Sequence, residues 1–192
     1  DAWLERKKQG EPDGRLIGIG FASYCEQSAH GTSVFASWGL PLIPGFDQAT
    51  VRTTPDGGLE VRVGVHSHGQ GMETTLAQVA HEFGGVPVDR IRVVHGDTGL
   101  TPFSTGTYAS RSIVMAGGAV GSACQTLIPR YIHIGAHLLK CKPEEARFEK
   151  SEVIGPSGRV SLKDIATAWY LRPERLPVDV DRDGLEATVG YK

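Results

Sequence analysis

The stretch His66-Ser-His-Gly-Gln-Gly-Met-Glu-Thr-Thr75 separates two patterns that together decide the fold. Before it, residues 59–65 alternate between apolar and polar or small side chains, which is typical of a half-buried strand. After it, apolar residues recur at helical spacing over residues 72–83, and Gly84-Gly85 is a stop signal. Because residues 91–94 indicate another strand, the sequence predicts a strand, a glycine turn, a helix and a strand.

The glycine turn (residues 66–71) is a candidate anion site. A turn that opens directly into a helix presents unpaired backbone N–H groups at the positive end of the helix dipole, and glycine lets a ligand approach the backbone. The alternative is that these glycines only make a corner. The spacing decides little by itself, because Gly69-Gln-Gly-Met-Glu-Thr74 is one glycine short of the dinucleotide fingerprint.

A second polar loop leads into a second predicted helix. The serine loop (residues 106–112) is followed by a helix built from small residues up to about residue 127. Ser110 or Ser112 is a candidate N-cap for this helix, and Arg111 between them is the best cation for a phosphate. The sequence therefore predicts two helix starts that could converge on one ligand.

The remaining patterns complete an α+β fold with a mixed sheet, hairpins and helices packed on the sheet. Residues 15–24 are apolar and glycine-rich, which predicts a strand that is buried on both faces or closely packed by another backbone. The turn Pro55-Asp-Gly-Gly58 predicts a hairpin between residues 46–53 and 59–65. In the later part of the chain, residues 130–141 could extend the helix beyond Pro129, which would kink it. A small hairpin over 148–161, a short helix over 162–171 and a strand beginning in 185–191 are predicted after it.

We interpret residues 1–192 as a single domain, in which 15–127 carry both loops and 128–192 form a helix and hairpin portion. The chain begins without methionine in a charged, helix-like segment, so we expect a piece of a longer protein. Its apolar surface would then be partly exposed, and a homodimer is one expected consequence.

Composition excludes several classes of function. A net charge of −2 gives no electrostatic argument for nucleic acid, and no apolar run approaches the ~20 residues that span a bilayer. The first eight residues lack the apolar core that is typical of a signal peptide, and three scattered cysteines make a disulfide framework improbable. These features predict a cytoplasmic protein with no membrane and no nucleic-acid partner.

Other candidate chemistry is weaker. His66 and His68 form an H-x-H pair that could share a metal, but neither His81 nor His95 comes with a carboxylate spacing that completes a site. A nucleophilic-serine motif is absent, and Cys124 in the small-residue helix is expected to pack in the core. We therefore predict no metal-ligating side chain here.

Taken together, these motifs resemble the molybdenum hydroxylases, the family of xanthine dehydrogenase, aldehyde oxidase and the carbon monoxide dehydrogenase large subunit. Four segments carry the resemblance, in this order: His68-Gly-Gln-Gly-Met-Glu-Thr-Thr-Leu-Ala-Gln78, Val94-His-Gly-Asp-Thr98, Gly106-Thr-Tyr-Ala-Ser-Arg-Ser112 and Gly117-Gly-Ala-Val120. The form of the third segment looks closer to the carbon monoxide dehydrogenase and aldehyde dehydrogenase branch than to animal xanthine oxidases.

The resemblance implies that the glycine turn and the serine loop embrace a molybdopterin cofactor, often as its cytosine dinucleotide. The residues it implicates are Gly69, Gln70, Gly71, Thr107, Ser110, Arg111 and Ser112. It also implies iron–sulfur and FAD partners, and a small-molecule substrate oxidised at carbon with water as oxygen source.

The chain departs from that family where catalysis is concerned. The family's Gly-x-Gly-Glu segment with the catalytic glutamate is absent, so no residue is assigned a catalytic role, and Glu73 is no substitute. We therefore expect the chain alone to be inactive. The alternatives are a non-catalytic nucleotide- or phosphate-binding module and a structural interaction domain.

Overall fold

The computed structural model describes all residues 1–192, and it has an α+β architecture, as predicted. The helices are Ala2–Gln9 (α1), Thr32–Ser37 (α2), Met72–Gly84 (α3), Gly117–Leu139 (α4) and Leu162–Leu171 (α5). The strands are Asp47–Thr53 (β1), Leu59–Val63 (β2), Ile91–Val94 (β3), Arg147–Glu149 (β4), Glu152–Gly155 (β5), Gly158–Ser161 (β6) and Glu186–Tyr191 (β7). Short 3-10 turns occur at Val88–Arg90, Pro143–Glu145 and Pro173–Arg175, and a π-helical turn at Ser112–Ala116 leads directly into α4.

The central sheet is mixed and has the strand order β3-β2-β1-β7. The predicted hairpin is confirmed, because β1 and β2 pair antiparallel with Val51 opposite Val61. The strand β3 pairs parallel to β2, with α3 as the connection, so the predicted strand, turn, helix and strand unit is also confirmed. The remaining edge is β7, which pairs antiparallel with β1.

Helix α3 follows the apolar periodicity of its sequence. It begins after Gly71 and ends at Gly85, and both glycines have the left-handed backbone conformation that favours glycine at such positions. Its buried face includes Met72, Leu76 and Ala80, which pack into the main hydrophobic core. The helix is thereby fixed along its whole length, while residues 66–71 before it are exposed or half-buried.

The small residues of α4 let it lie against both α3 and the sheet. Among them, Gly121 lies against the ring of Phe83 on α3, where an added Cβ would come within 3.1 Å. The helix continues through Pro129 as predicted, and Cys124 is in the core. Residues Ser112–Leu139 are long and apolar enough to cross a membrane by length and composition, but half of the qualifying window is buried inside this fold. Packing of this kind is that of a core helix.

The predicted strand over residues 15–24 is wrong. These residues form no strand or helix, and large apolar side chains in them are exposed, with Phe21 at 97% and Leu16 at 89%. An apolar run becomes a strand only where a neighbouring strand accepts its backbone hydrogen bonds. Neither sheet offers that pairing to this segment, since β3 and β7 form the edges of the central sheet without it.

The C-terminal portion contains the predicted helix over 162–171 and the predicted strand near 185–191. The predicted hairpin over 148–161 has one more strand than expected, because a turn at Lys150 and Ser151, both with positive φ, divides its first strand into two. Strands β4, β5 and β6 form an antiparallel sheet, and α5 follows with Ser161 as its N-cap, whose Oγ accepts a hydrogen bond from the Asp164 N–H at 3.1 Å. Side chains of this portion, among them Val153 and Ile165, belong to the same core as β1, β2 and α3.

Candidate binding site

The glycine turn and the serine loop meet at a cavity of about 540 Å³, as the sequence predicted they could. Residues from both segments and from the first turns of the helices that follow them line it. The lining residues are His68, Gln70, Met72, Thr75, Leu76, Thr107, Tyr108, Ala109, Ser110, Ser112 and Ile113. Four of the seven predicted cofactor residues are thus at the cavity wall.

The other two turn residues, Gly69 and Gly71, give the glycine turn its shape. Their φ angles are 95° and 75°, and a Cβ on either would meet nothing within 4 Å. Glycine is required here by the backbone conformation, and the space beside it is open. No side chain caps the start of α3, so a ligand can approach backbone donors at this end of the helix.

Glu73 occupies part of this helix start. Its pKa is lowered, first by a hydrogen bond from its own backbone N–H and next by the side chain of His95. The carboxylate lies 2.9 Å from Nε2 of His95, the residue that follows β3. Sequence reasoning did not connect these two residues.

His95 also contacts His66, the first residue of the glycine turn. The two Nδ1 atoms are 3.0 Å apart, so Glu73, His95 and His66 form a continuous hydrogen-bonded array, named here the histidine chain. His68 is not part of it, because its ring lies 6.3 Å from that of His66. The structure contains no group of three or more histidine, cysteine, aspartate or glutamate residues that could hold a metal ion.

Thr107 joins the serine loop to the glycine turn. Its hydroxyl donates to the carbonyl oxygen of His66 at 2.6 Å and accepts from the N–H of His66 at 2.7 Å. Both hydrogen-bonding functions of the hydroxyl are therefore used inside the protein. This contact fixes the spacing of the two loops.

The backbone of the serine loop is unusual at Ala109 and Ser110, which have φ angles of 47° and 52°. The predicted N-cap role of Ser110 or Ser112 is wrong, because Arg111 stands at the N-cap position and no side chain caps the helix. Left-handed backbone at Ser110 and an onset as a π-helical turn explain this difference, since neither matches the extended geometry of a serine cap. The Oγ of Ser112 is left buried without a hydrogen-bond partner at the cavity.

Arg111 lies beneath the serine loop and does not line the cavity. Its side chain is 1% exposed, and Nη1 donates to Asp47 Oδ2 and to the carbonyl of Gly106, each at 2.8 Å. Nη2 donates to the carbonyl of Phe46. Burial raises the pKa of Asp47, although the guanidinium opposes that shift. The sequence suggested a phosphate contact for Arg111. It did not indicate this ion pair, because Asp47 is 64 positions away and gives no local signal.

The whole chain is similar in sequence to a known protein family. Residues 1–192 match the family described as the molybdopterin cofactor-binding domain. The chain belongs to this family, within the molybdenum hydroxylases. The resemblance in the four sequence motifs is thereby confirmed.

Individual relatives of this molybdopterin-binding domain are oxidoreductase subunits. The chain is 32% identical over 193 residues to the nicotine 6-hydroxylase large subunit of Paenarthrobacter nicotinovorans, covering 99% of this chain and 23% of that protein. It is 33% identical over 190 residues to the carbon monoxide dehydrogenase large chain of Afipia carboxidovorans, covering 97% and 23%. The chain therefore spans less than a quarter of the length of these relatives.

A solved structure confirms the fold. Quinoline 2-oxidoreductase from Pseudomonas putida 86 superposes with a TM-score of 0.75 at 32% identity, covering 87% of this chain and 21% of that one. The molybdopterin-binding domain thus corresponds to one part of a larger oxidoreductase chain.

The residues at the cavity fit a phosphate-bearing pterin. Open space beside Gly69 and Gly71 admits a ligand to the backbone, and the start of α3 favours an anion. The unpartnered Oγ of Ser112 is a donor that the protein itself does not satisfy. Thr107 and Arg111, by contrast, are used to hold the loops.

Proposed function

We propose that this chain binds the cytosine dinucleotide form of molybdopterin between the glycine turn and the serine loop. Gly69, Gln70 and Gly71 would contact it from one side, and Ser110 and Ser112 from the other. The observation that carries the proposal is the buried Ser112 Oγ, which has no partner in the protein and lies at a cavity lined by both loops.

Two of the predicted residues receive an indirect role in this proposal. Thr107 sets the distance between the loops through its two hydrogen bonds to His66. Arg111 supports the serine loop from below through the Gly106 carbonyl, and its charge is balanced by Asp47. A pyrophosphate would be bound by backbone donors and hydroxyls, with no solvent-facing arginine required.

The cofactor supplies the redox chemistry when it is bound. The residues of this chain would bind and orient it. In the longer protein, we propose oxidation of a carbon centre in an aldehyde, an N-heterocycle or carbon monoxide, with water as the oxygen source. The isolated chain would be inactive, because it contains no residue that can be assigned as the general base.

We also propose that the longer protein passes electrons to iron–sulfur and FAD partners in the cytoplasm. Support comes from relatives that are subunits, such as the 6-hydroxypseudooxynicotine dehydrogenase complex subunit gamma, which is 31% identical over 191 residues. The chain covers 22% of that protein, so partner contacts made by the remainder are a separate question.

The test is cofactor content in the full-length protein that carries this chain. Ser112→Ala and Gln70→Ala should each weaken cofactor retention about fivefold, the equivalent of one net hydrogen bond of about 1 kcal/mol. Molybdenum is measured by mass spectrometry, and the nucleotide is identified after acid release. Ser122→Ala and Gln125→Ala on α4 are matched controls, because neither residue lines the cavity.

Three results would count against the proposal. Unchanged cofactor content in both test variants would remove these residues from the site. Molybdopterin without a cytosine nucleotide would refute the dinucleotide form alone. Turnover of aldehydes, purines or carbon monoxide by the isolated chain supplied with molybdopterin would refute its inactivity.

A further inference from the structure

We propose that the histidine chain is a positioning device for the glycine turn, and that a second proton opens it. The inference rests on the proposed cofactor-binding function. Glu73, His95 and His66 would not touch the cofactor; they would hold the turn in the shape that binds it.

The glycine turn has few other anchors. Space around Gly69 and Gly71 is open, and the side chain of Gln70 folds back to accept the N–H of His68 within the turn. Its position is therefore set at its two ends. The histidine chain joins those ends, because His66 begins the turn and Glu73 lies in the first turn of the helix that follows it.

The same array extends to the serine loop. The backbone N–H and carbonyl of His66 are hydrogen-bonded to the hydroxyl of Thr107 in the serine loop. His66 therefore contacts the serine loop through its backbone and His95 through its side chain. A displacement of His66 would thus move both walls of the cavity.

The number of protons on the three side chains defines the states of the histidine chain. The carboxylate of Glu73 accepts, so His95 Nε2 carries a proton. The two Nδ1 atoms at 3.0 Å can share only one proton between them. With neutral rings, His66 Nδ1 donates to His95; with one added proton, His95 becomes an imidazolium between Glu73 and the bare Nδ1 of His66.

A second added proton breaks the array. Both Nδ1 atoms would then carry hydrogen, and two positive rings would face each other at hydrogen-bond distance, which is repulsive. The other titratable groups near the pair are Glu73 on α3, His68 in the glycine turn and Asp97 in the loop after β3. Asp97 is bonded to the N–H of Gly99 in its own loop. Glu73 alone contacts the pair directly as an anion.

The variants His66→Ala and His66→Asn in the full-length, cofactor-loaded protein separate positioning from mere folding. Alanine removes the contact with His95. Asparagine places its Nδ2 where Nδ1 was, so it can still donate to His95, but it cannot take up a second proton. His137→Ala on α4 is the control, because that histidine is exposed at the far end of the helix.

The readout is the rate at which molybdopterin is released into buffer, followed by its fluorescence after oxidation, at several pH values between about 5 and 8. Wild type and His137→Ala should release slowly near pH 7 and faster in acid. His66→Ala should release about tenfold faster near pH 7, as expected for one lost interaction of this kind. His66→Asn should resemble wild type near pH 7 and show no acceleration in acid.

Two results of the release measurement would overturn the inference alone. One is a His66→Ala protein that releases cofactor at the wild-type rate. The other is a His66→Asn protein with the same acid acceleration as wild type, which would place the acid-sensitive group elsewhere. Wild-type protein purified without molybdopterin would overturn the proposed function and this inference together. Thermal unfolding of each variant, measured in parallel, shows whether faster release follows from global unfolding, which would also overturn the inference.

Discussion

Arg111 donates to the carboxylate of Asp47 at 2.8 Å, and both side chains are withdrawn from solvent beneath the serine loop. Asp47 begins β1, while Arg111 immediately precedes the π-helical turn that opens into α4. The pair thus joins the sheet to the loop that lines the cavity. Ser104 adds a hydroxyl hydrogen bond to the same carboxylate oxygen at 3.1 Å.

We predict that Arg111→Met lowers the free energy of unfolding by about 3–5 kcal/mol, because it leaves the Asp47 carboxylate buried without an opposite charge. Arg111→Lys should also destabilise, since one ammonium cannot serve Asp47 and the carbonyls of Gly106 and Phe46 with the geometry of the guanidinium. Urea denaturation measures both effects.

The control for this prediction is Arg175→Met, at an exposed position, which should change the free energy of unfolding by less than about 0.5 kcal/mol. A double variant, Asp47→Asn with Arg111→Met, should recover part of the loss, because no buried charge remains. If Arg111→Met is as stable as wild type, the ion pair does not hold the serine loop.

The left-handed backbone at Ala109 leads to a second prediction. Ala109→Gly should leave stability unchanged or raise it, whereas Ala109→Val should lower the free energy of unfolding by about 1–2 kcal/mol, because a β-branched residue at φ 47° is strained. Thermal unfolding gives the order of the two variants. Ala36 in α2 is the control, because it is a helical position. Ala36→Gly should lower the free energy of unfolding more than Ala109→Gly does.

Helix α4 offers a matched pair of glycines. A Cβ on Gly135 would come within 2.6 Å of the Val153 side chain, so Gly135→Ala should lower the free energy of unfolding by about 1–2 kcal/mol through overpacking. A Cβ on Gly117 would meet only side-chain atoms of Ile113 and Leu76 at ordinary van der Waals distances of 3.4–3.9 Å. Gly117→Ala should therefore stabilise the protein by up to about 1 kcal/mol through helix propensity. Equal effects at the two positions would contradict this packing.

The buried thiol of Cys124 predicts a specific pH dependence. Burial raises its pKa from 9.0 to about 12, so the thiol stays neutral in the folded state at pH values where it ionises in the unfolded chain. Its contribution to stability is fully present below about pH 9 and is lost as the pH rises towards 12. Denaturant unfolding at several pH values should show that wild type loses stability over this range faster than Cys124→Ala.

The exposed Cys25 provides the comparison for that measurement. Cys25→Ala should leave the pH dependence of unfolding unchanged, because that side chain is in contact with water in the folded and unfolded states alike. A wild-type curve parallel to that of Cys124→Ala between about pH 9 and 12 would show that the buried thiol does not contribute.

Local patterns in the sequence were sufficient for most of the fold. The hairpin of β1 and β2, the helix α3 and the strand β3 were predicted because their periodicities and turn residues lie within short windows. The convergence of the glycine turn and serine loop was also predicted, since both precede helix starts. The failure at residues 15–24 has the opposite cause, because a strand depends on a partner that no local pattern supplies.

The roles inside the candidate site were less predictable. Thr107 and His66 are 41 positions apart, and Arg111 and Asp47 are 64 apart, so side chains that looked available to a ligand are paired within the protein. The pair of Glu73 and His95 was missed for the same reason. Their residue types indicated polar chemistry, but only the tertiary structure shows which partner each one has.

The double hydrogen bond between Thr107 and His66 limits how portable this site is for protein engineering. If residues 66–75 alone were transferred to another scaffold, the N–H of His66 would lose its acceptor and the carbonyl of His66 would lose its donor. The smallest transferable unit is both segments together, with Asp47 and Arg111 beneath them. A graft that copies only the glycine pattern would reproduce the motif and lose its geometry.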